Sequence, residues 1–265
     1  RHTVHYATAE RDPRTGGLLR TIPEGGHASV RLGNWASGGS ATPQGESITY
    51  GFTVDAAEAD LLVLRYAAVL QDPEHEPSLQ PRFRMEILNQ EGRLLDSCSV
   101  ADFVANAALG WAEAADGVLW KDWTTVGVDL APYDGQTLLV RLTTRDCGEG
   151  SHFGYAYFTL QCTAKRMKSE SCSEAADNRF TVPDGFSYLW WSSADPSRAL
   201  SDSASLWVRS DNAVTYYCRL SFIDNPQCHF TMSAFAGARY PLALFDTALA
   251  VAGCEFDLRL DNRST

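Results

Sequence analysis

No stretch of these 265 residues approaches the roughly 18 consecutive apolar residues that a membrane-spanning helix needs. The opening residues, Arg1 to Glu10, are too polar for the apolar core of a signal peptide. Direct membrane insertion is therefore not expected. Basic charge is scarce as well: 22 Lys and Arg against 33 Asp and Glu leave a net charge of −11, a field that repels phosphate backbones. The one basic cluster, Lys165, Arg166 and Lys168, falls in a polar stretch that reads as a solvated linker, so no nucleic-acid partner is expected.

Catalytic signatures are missing too. There is no GxSxG elbow, HExxH helix, P-loop, GxGxxG fingerprint or EF-hand loop, so the common motif-bearing enzyme classes lose support and no cofactor is implied. A pair of acid/base carboxylates needs no short motif, but nothing in the sequence selects two of the many Asp and Glu residues. The expectation is a protein without catalytic activity. The seven cysteines form no CxxC pair and no Cys/His group with the short spacings of a structural zinc site, so no metal is expected either.

What is present is strand signal. With 45% hydrophobic and 21% charged residues the composition is that of an ordinary folded protein, and the length favours two domains. Ser47 to Val54 alternates into an apolar run, Leu61 to Leu70 is nearly continuous, and Arg82 to Leu88 alternates around Phe83, Met85 and Ile87. Thr124 to Leu130, Thr137 to Thr144 and Gly154 to Leu160 follow, bounded by turn residues; Tyr155 and Tyr157 against Ala156 and Phe158 read as a strand buried on both sides. The Ala-rich stretch Val100 to Ala114 suits either a helix or a loop with one short helix. Composition turns polar over Thr163 to Asp177, and five shorter strand patterns then run from Arg179 to Ala234. The fold expected is all-β: a sandwich over 1–164, a second over 165–236, and a partial third module or C-terminal extension over 237–265.

Wide cysteine spacing among β-type segments favours disulfides and an oxidising, extracellular or cell-surface location. Cys172, Trp190, Tyr216 and Cys218 have the order of an immunoglobulin-like sandwich, in which a buried Trp packs on an inter-sheet disulfide. Cys228 is a competing partner across the Asp224-Asn225-Pro226 turn, so Cys172 is expected to pair with Cys218 or Cys228. At least one bridge is expected within the first domain among Cys98, Cys147 and Cys162, with Cys254 left over.

Ser29 to Asn34, Tyr66 to His75, Gln80 to Phe83, Trp120 to Thr125, Tyr133 to Gln136, Asp146-Cys147 and His152 to Phe158 together resemble large secreted surface proteins of Bacteroidetes-type bacteria. The resemblance covers roughly Thr21 to Cys162, and more loosely Cys172 to Ala234 and Arg239 to Ser264. It implies a jelly-roll-like domain followed by immunoglobulin-like and PKD-like modules, displayed outside the cell in adhesin-like chains or beside carbohydrate-active enzymes. Where related jelly-rolls carry acidic residues for a structural calcium after the aromatic strand, Thr159 and Leu160 stand here.

Recognition gathers on loops projecting from a rigid sandwich. The richest polar loops are Gln71 to Gln80, with His75 and Glu76, and Asp146 to His152, with Glu149; converging, they suit a divalent ion or a glycan. Trp111 and Trp120, in a Gly-containing insertion, are candidate flat platforms for sugar rings. The candidate ligand-binding set is thus His75, Glu76, Trp111, Trp120 and His152, for a cell-surface glycan or protein. An accessory carbohydrate-binding module, a hydrolase with two carboxylates converging in a cleft, and a stalk segment without a ligand are the rivals.

Overall fold

The computed structural model describes residues 2–35, 43–171, 177–209, 214–236, 245–252 and 255–262. Its regular elements are β-strands: β1 (His2–His5), β2 (Ser29–Leu32), β3 (Gly45–Thr53), β4 (Leu61–Gln71), β5 (Arg82–Asn89), β6 (Val100–Val104), β7 (Ala112–Ala114), β8 (Val118–Asp129), β9 (Thr137–Arg145) and β10 (Gly154–Thr163) come first. There follow β11 (Lys168–Ser171), β12 (Asp177–Thr181), β13 (Ser187–Ser192), β14 (Ser205–Arg209), β15 (Val214–Ser221), β16 (His229–Ala236), β17 (Phe245–Ala252) and β18 (Glu255–Asn262). Every pairing between them is antiparallel. The Ala-rich stretch forms β6, a single 3-10 turn at Ala107–Leu109 and β7, because pairing with β5 and β8 outweighs its weak helical preference.

One sheet runs β1-β2-β10-β4-β8-β7 and the other β3-β9-β5-β6. Stripped of its edge strands β1 and β7, this is the interleaved strand order of a jelly roll. Phe83, Met85 and Ile87 of β5 and Leu138, Val140 and Leu142 of β9 alternate into the core, where Leu62, Leu64, Tyr66, Ala68 and Leu70 of β4 meet them. The opposite face of the larger sheet is covered as well. Leu19 reaches across it and builds a second cluster with Ala67, Val69, Val118, Trp120, Phe153, Tyr155 and Tyr157. Strands β4 and β10 are therefore buried on both sides over most of their length, which is why β4 reads as an apolar run broken only by Arg65 before Gln71.

That outer layer is pinned by Asp12, which is fully buried. Its Oδ2 accepts from the hydroxyls of Tyr155 and Tyr157 at 2.8 and 2.7 Å, and its Oδ1 accepts the N–H groups of Arg14 and Thr15 at 2.7 and 3.1 Å. Burial first, and the Asp12 charge second, hold both tyrosines far above the usual phenol range.

The next two sheets, β11-β12-β14 and β13-β15-β16, have the strand order of a small immunoglobulin-like sandwich. Trp190 on β13 is fully buried, donates its indole N–H to the Ser203 carbonyl at 2.7 Å, and lies opposite Cys218 in the sheet register. The last described strands, β17 and β18, form a hairpin.

The sandwiches meet along β8 and β4. Phe186 and Phe230 stack edge to face at 5.5 Å over Gly127, where an added Cβ would lie 2.6 Å from Phe230. Gly185, at φ +92°, comes so near Thr125 that a Cβ would sit 2.0 Å from its hydroxyl oxygen. In the turn between β15 and β16, Asp224 accepts from the Lys121 ammonium at 2.8 Å and the Tyr66 hydroxyl at 3.4 Å.

The same turn carries one half of a disulfide, and here the sequence-based pairing is corrected. Cys228 bonds Cys98, in the loop between β5 and β6, rather than Cys172. Docking lays the β15–β16 turn against Val100 to Phe103 and so brings sulfurs 130 residues apart together. Cys147, Cys162 and Cys218 keep free thiols, so neither the bridge expected within the first domain nor one to Cys218 forms. Cys172 and Cys254 lie outside the described residues.

Candidate functional site

Strand order decides which loops meet. Register sets Gln71, the end of β4, beside Val118, and Arg82, the start of β5, beside Arg145, the end of β9. The β4–β5 loop, with His75, and the β9–β10 loop, with Cys147 and His152, thus share one end of the jelly roll. The backbone stitches them together: Gly148 N–H donates to Leu79 O at 2.6 Å, Gln71 N–H to Phe153 O at 3.0 Å, and the Arg145 guanidinium to the carbonyls of Ser78 and Gln80, each at 3.0 Å. A Cβ at Gly148 would lie 2.7 Å from the Leu79 Cδ2 and 3.4 Å from its Cα, so the two loops pack closely there.

Each loop also has internal scaffolding. Asp72 accepts from Glu74 N–H and the Gln80 amide, both at 2.8 Å. Asp146 accepts from Gly154 N–H at 3.0 Å; burial pushes its carboxyl up to about 6 while that hydrogen bond pulls the other way. Immediately before each histidine stands a non-glycine residue with left-handed backbone, Glu74 at φ 59° and Ser151 at φ 75°. Such positions cost of order 1–3 kcal/mol each and persist only where the surroundings enforce them.

The result is a compact cluster. One ligand atom from each of His75, Cys147 and His152 lies within 4.8 Å of the others. The Cys147 sulfur is 3.7 Å from His75 Nδ1, and His75 Nε2 is 3.6 Å from the Glu149 carboxylate. The two imidazoles stand edge to face at 5.6 Å. Cys147 is 0% exposed and donates its S–H to Gly150 O at 3.0 Å, whereas the His75 side chain is 25% exposed and Glu149 lies open to solvent. His152 Nδ1 is buried without a hydrogen-bond partner among the described residues.

Of the residues expected from sequence, His75 and His152 are brought together; Glu76 is exposed and outside the cluster. Trp120 is no platform: it is 9% exposed, packed in the outer-face cluster. Trp111 is half-buried, 5.1 Å from the Phe103 ring, with Lys121 above both rings. The residue missed is Cys147, read from sequence as half a disulfide. Its available signal was the Cys-x4-His spacing of Cys147 and His152 across Gly148 and Gly150, which the reading of cysteine spacings overlooked.

Elsewhere, a cleft of about 490 Å³ runs beside the junction of the two sandwiches, with Arg65, Arg166 and Lys168 among its walls. It does not include the histidine cluster.

No protein-family profile matches the chain. No curated protein sequence matches it either. Among solved structures it is similar to the glycoside hydrolase domain of Endo-D from Streptococcus pneumoniae R6, at 11% identity and a TM-score of 0.26, over 79% of this chain and 34% of that one. A β-glucuronidase from Ruminococcus gnavus is similar at 7% identity and a TM-score of 0.22, over 82% of this chain and 39% of that one. The baseplate tripod of bacteriophage Tuc2009 is similar at 11% identity and a TM-score of 0.25, over 73% of this chain and 81% of that one. The chain spans between a third and two fifths of the first two proteins, and likeness at this level says nothing about what it binds.

Proposed function

We propose that this chain is a non-catalytic binding module of an extracellular or cell-surface protein, engaging a cell-surface glycan or protein at the loop end that carries His75 and His152. The observation that carries the reading is the closure of two polar loops, each held in strained backbone, around a half-exposed pair of imidazoles. Backbone strain is stored where a constellation must be preorganised. The Cys98–Cys228 disulfide supports an oxidising compartment.

A second reading arises from Cys147, His75 and Glu149, which line up at 3.7 and 3.6 Å as a nucleophile, base and orienting carboxylate would. Burial counts against it. A sulfur with no exposed surface, its S–H donated to Gly150 O, is poorly placed to attack a carbonyl carbon.

The test is retention of the purified chain on glycan and cell-surface protein arrays. His75→Ala and Glu149→Gln are expected to weaken retention at least tenfold with the melting temperature unchanged within a few degrees. Retention indifferent to both substitutions removes the loop end as the binding surface. Turnover of a peptide or polysaccharide that is abolished by Cys147→Ser overturns the non-catalytic assignment.

A further inference from the structure

The geometry points to a metal site: His75, Cys147 and His152 bind one divalent transition-metal ion, zinc by ligand type, and leave a fourth position open toward solvent. Zinc takes imidazole nitrogen at about 2.0–2.1 Å and thiolate sulfur at about 2.3 Å in tetrahedral array. Those bond lengths set sulfur and nitrogen about 3.6 Å apart and two nitrogens about 3.4 Å apart. The Cys147 sulfur and His75 Nδ1 already stand at 3.7 Å, and all three donors lie within 4.8 Å, so closure asks for movements of about an ångström.

The carboxylate nearest His75 is placed to support this. Glu149 stands 3.6 Å from His75 Nε2, on the side of the ring away from the metal, while Nδ1 faces the Cys147 sulfur at 3.7 Å. With a small movement of the exposed Glu149 side chain this becomes the carboxylate–histidine–metal arrangement that orients ligating imidazoles. His152 brings an independent observation, a buried ring nitrogen with no hydrogen-bond partner among the described residues. A buried polar atom left unpaired is costly, and a metal ion bound at Nδ1 satisfies it. Cys147 is likewise unexplained by a disulfide, since its thiol is free and fully buried.

Ligand chemistry selects the ion. Two imidazoles and a thiolate suit zinc; a copper electron-transfer centre with the same three ligands adds a weak axial thioether. All three methionines, Met85, Met167 and Met232, sit in the sandwich cores instead. Three protein ligands leave the fourth position to water or to a donor atom of a bound partner. The last step, coordination of an oxygen or nitrogen donor of the partner at that position, rests on the binding reading above.

The experiment strips the full chain, its Cys98–Cys228 bridge intact, with chelator under nitrogen and titrates it with Co²⁺, then displaces the cobalt with Zn²⁺. The wild type is expected to take up one equivalent, with a thiolate-to-cobalt charge-transfer band and the intense visible bands of tetrahedral cobalt. Cys147→Ser and His152→Ala are expected to lose the band, and Glu149→Gln to weaken affinity roughly 10- to 100-fold. Melting temperatures of the metal-free variants establish folding; should Cys147→Ser fail to fold, His75→Gln at the accessible rim replaces it. No saturable uptake by the wild type, or a charge-transfer band that survives Cys147→Ser, overturns the site. Array retention is then measured with chelator and with added Zn²⁺. Retention lost with chelator and restored by zinc supports coordination of the partner. Retention indifferent to chelator overturns that step alone, and metal uptake without retention on any array overturns the binding reading while leaving the metal site.

Discussion

The bridge between the sandwiches supplies the most quantitative prediction. Replacing Cys98 and Cys228 together by alanine removes a bond that closes a loop of 130 residues. Alanine is preferred at the buried 228 position because a serine would bury a hydroxyl without a designed partner. In the chain-entropy account, a loop of that length holds about 17 cal/mol/K of configurational entropy out of the unfolded ensemble, or about 5 kcal/mol at 25 °C. Whole domains are stable by only about 5–15 kcal/mol, so the double variant is expected to survive on a thin margin. For sandwiches of this size the melting temperature should fall by about 10–20 °C. Urea unfolding without reductant, followed by tryptophan fluorescence and circular dichroism, measures the loss. Cys98→Ala alone should cost nearly as much as the pair, since either substitution breaks the same bond. Reduced wild type should fall to the level of the double variant. A loss below about 1 kcal/mol, or a reduced wild type as stable as the oxidised one, would refute the reasoning.

Other consequences are open to direct measurement. Gly127→Ala and Gly185→Ala, which drive a methyl into Phe230 and Thr125 respectively, should each lower the melting temperature by several degrees and loosen the docking seen by small-angle scattering. Asp12→Ala strands two tyrosine hydroxyls and two backbone N–H groups in the interior; a loss of at least about 3 kcal/mol is expected in urea unfolding, and one under 1 kcal/mol would contradict the network. Tyr66, Tyr155 and Tyr157 all have folded pKa values raised above the ordinary 10.0, chiefly by burial, so they favour the folded state below that pH. Their contribution is lost as pH climbs past 10, and ultraviolet titration should find these three phenols ionising only as the chain unfolds. Trp120→Ala should cost about 3–5 kcal/mol as a core truncation, while Trp111→Ala costs clearly less.

The elements most legible in the sequence were those whose burial is written along a single strand. Alternation in β5 and the two-sided apolar run of β4 announce themselves from Phe83, Met85 and Ile87 or from Leu61 to Leu70. Half of the site was legible for a similar reason: His75 and His152 sit in short polar loops between obvious strands, and strand order did the rest. Cys147 was not, because a cysteine in a β-rich chain reads as half a bridge until its neighbours are known. The Cys98–Cys228 pair was hidden by distance along the chain, as it depends on how one sandwich docks on the other. Trp120 was misread because the segment around Asp12 and Leu19 that covers it carries no periodic pattern of its own.

The cross-domain bridge also fixes how far this chain can be stretched. Pulled from its two ends with both sandwiches unravelled, an oxidised molecule cannot pay out the 130 residues between Cys98 and Cys228. At about 3.3–3.6 Å per extended residue, roughly 450 Å of contour stays locked behind one covalent bond. Mounted between a surface and a tethered partner, the chain is a leash of two lengths, short while the sulfurs are joined and long once they are cut.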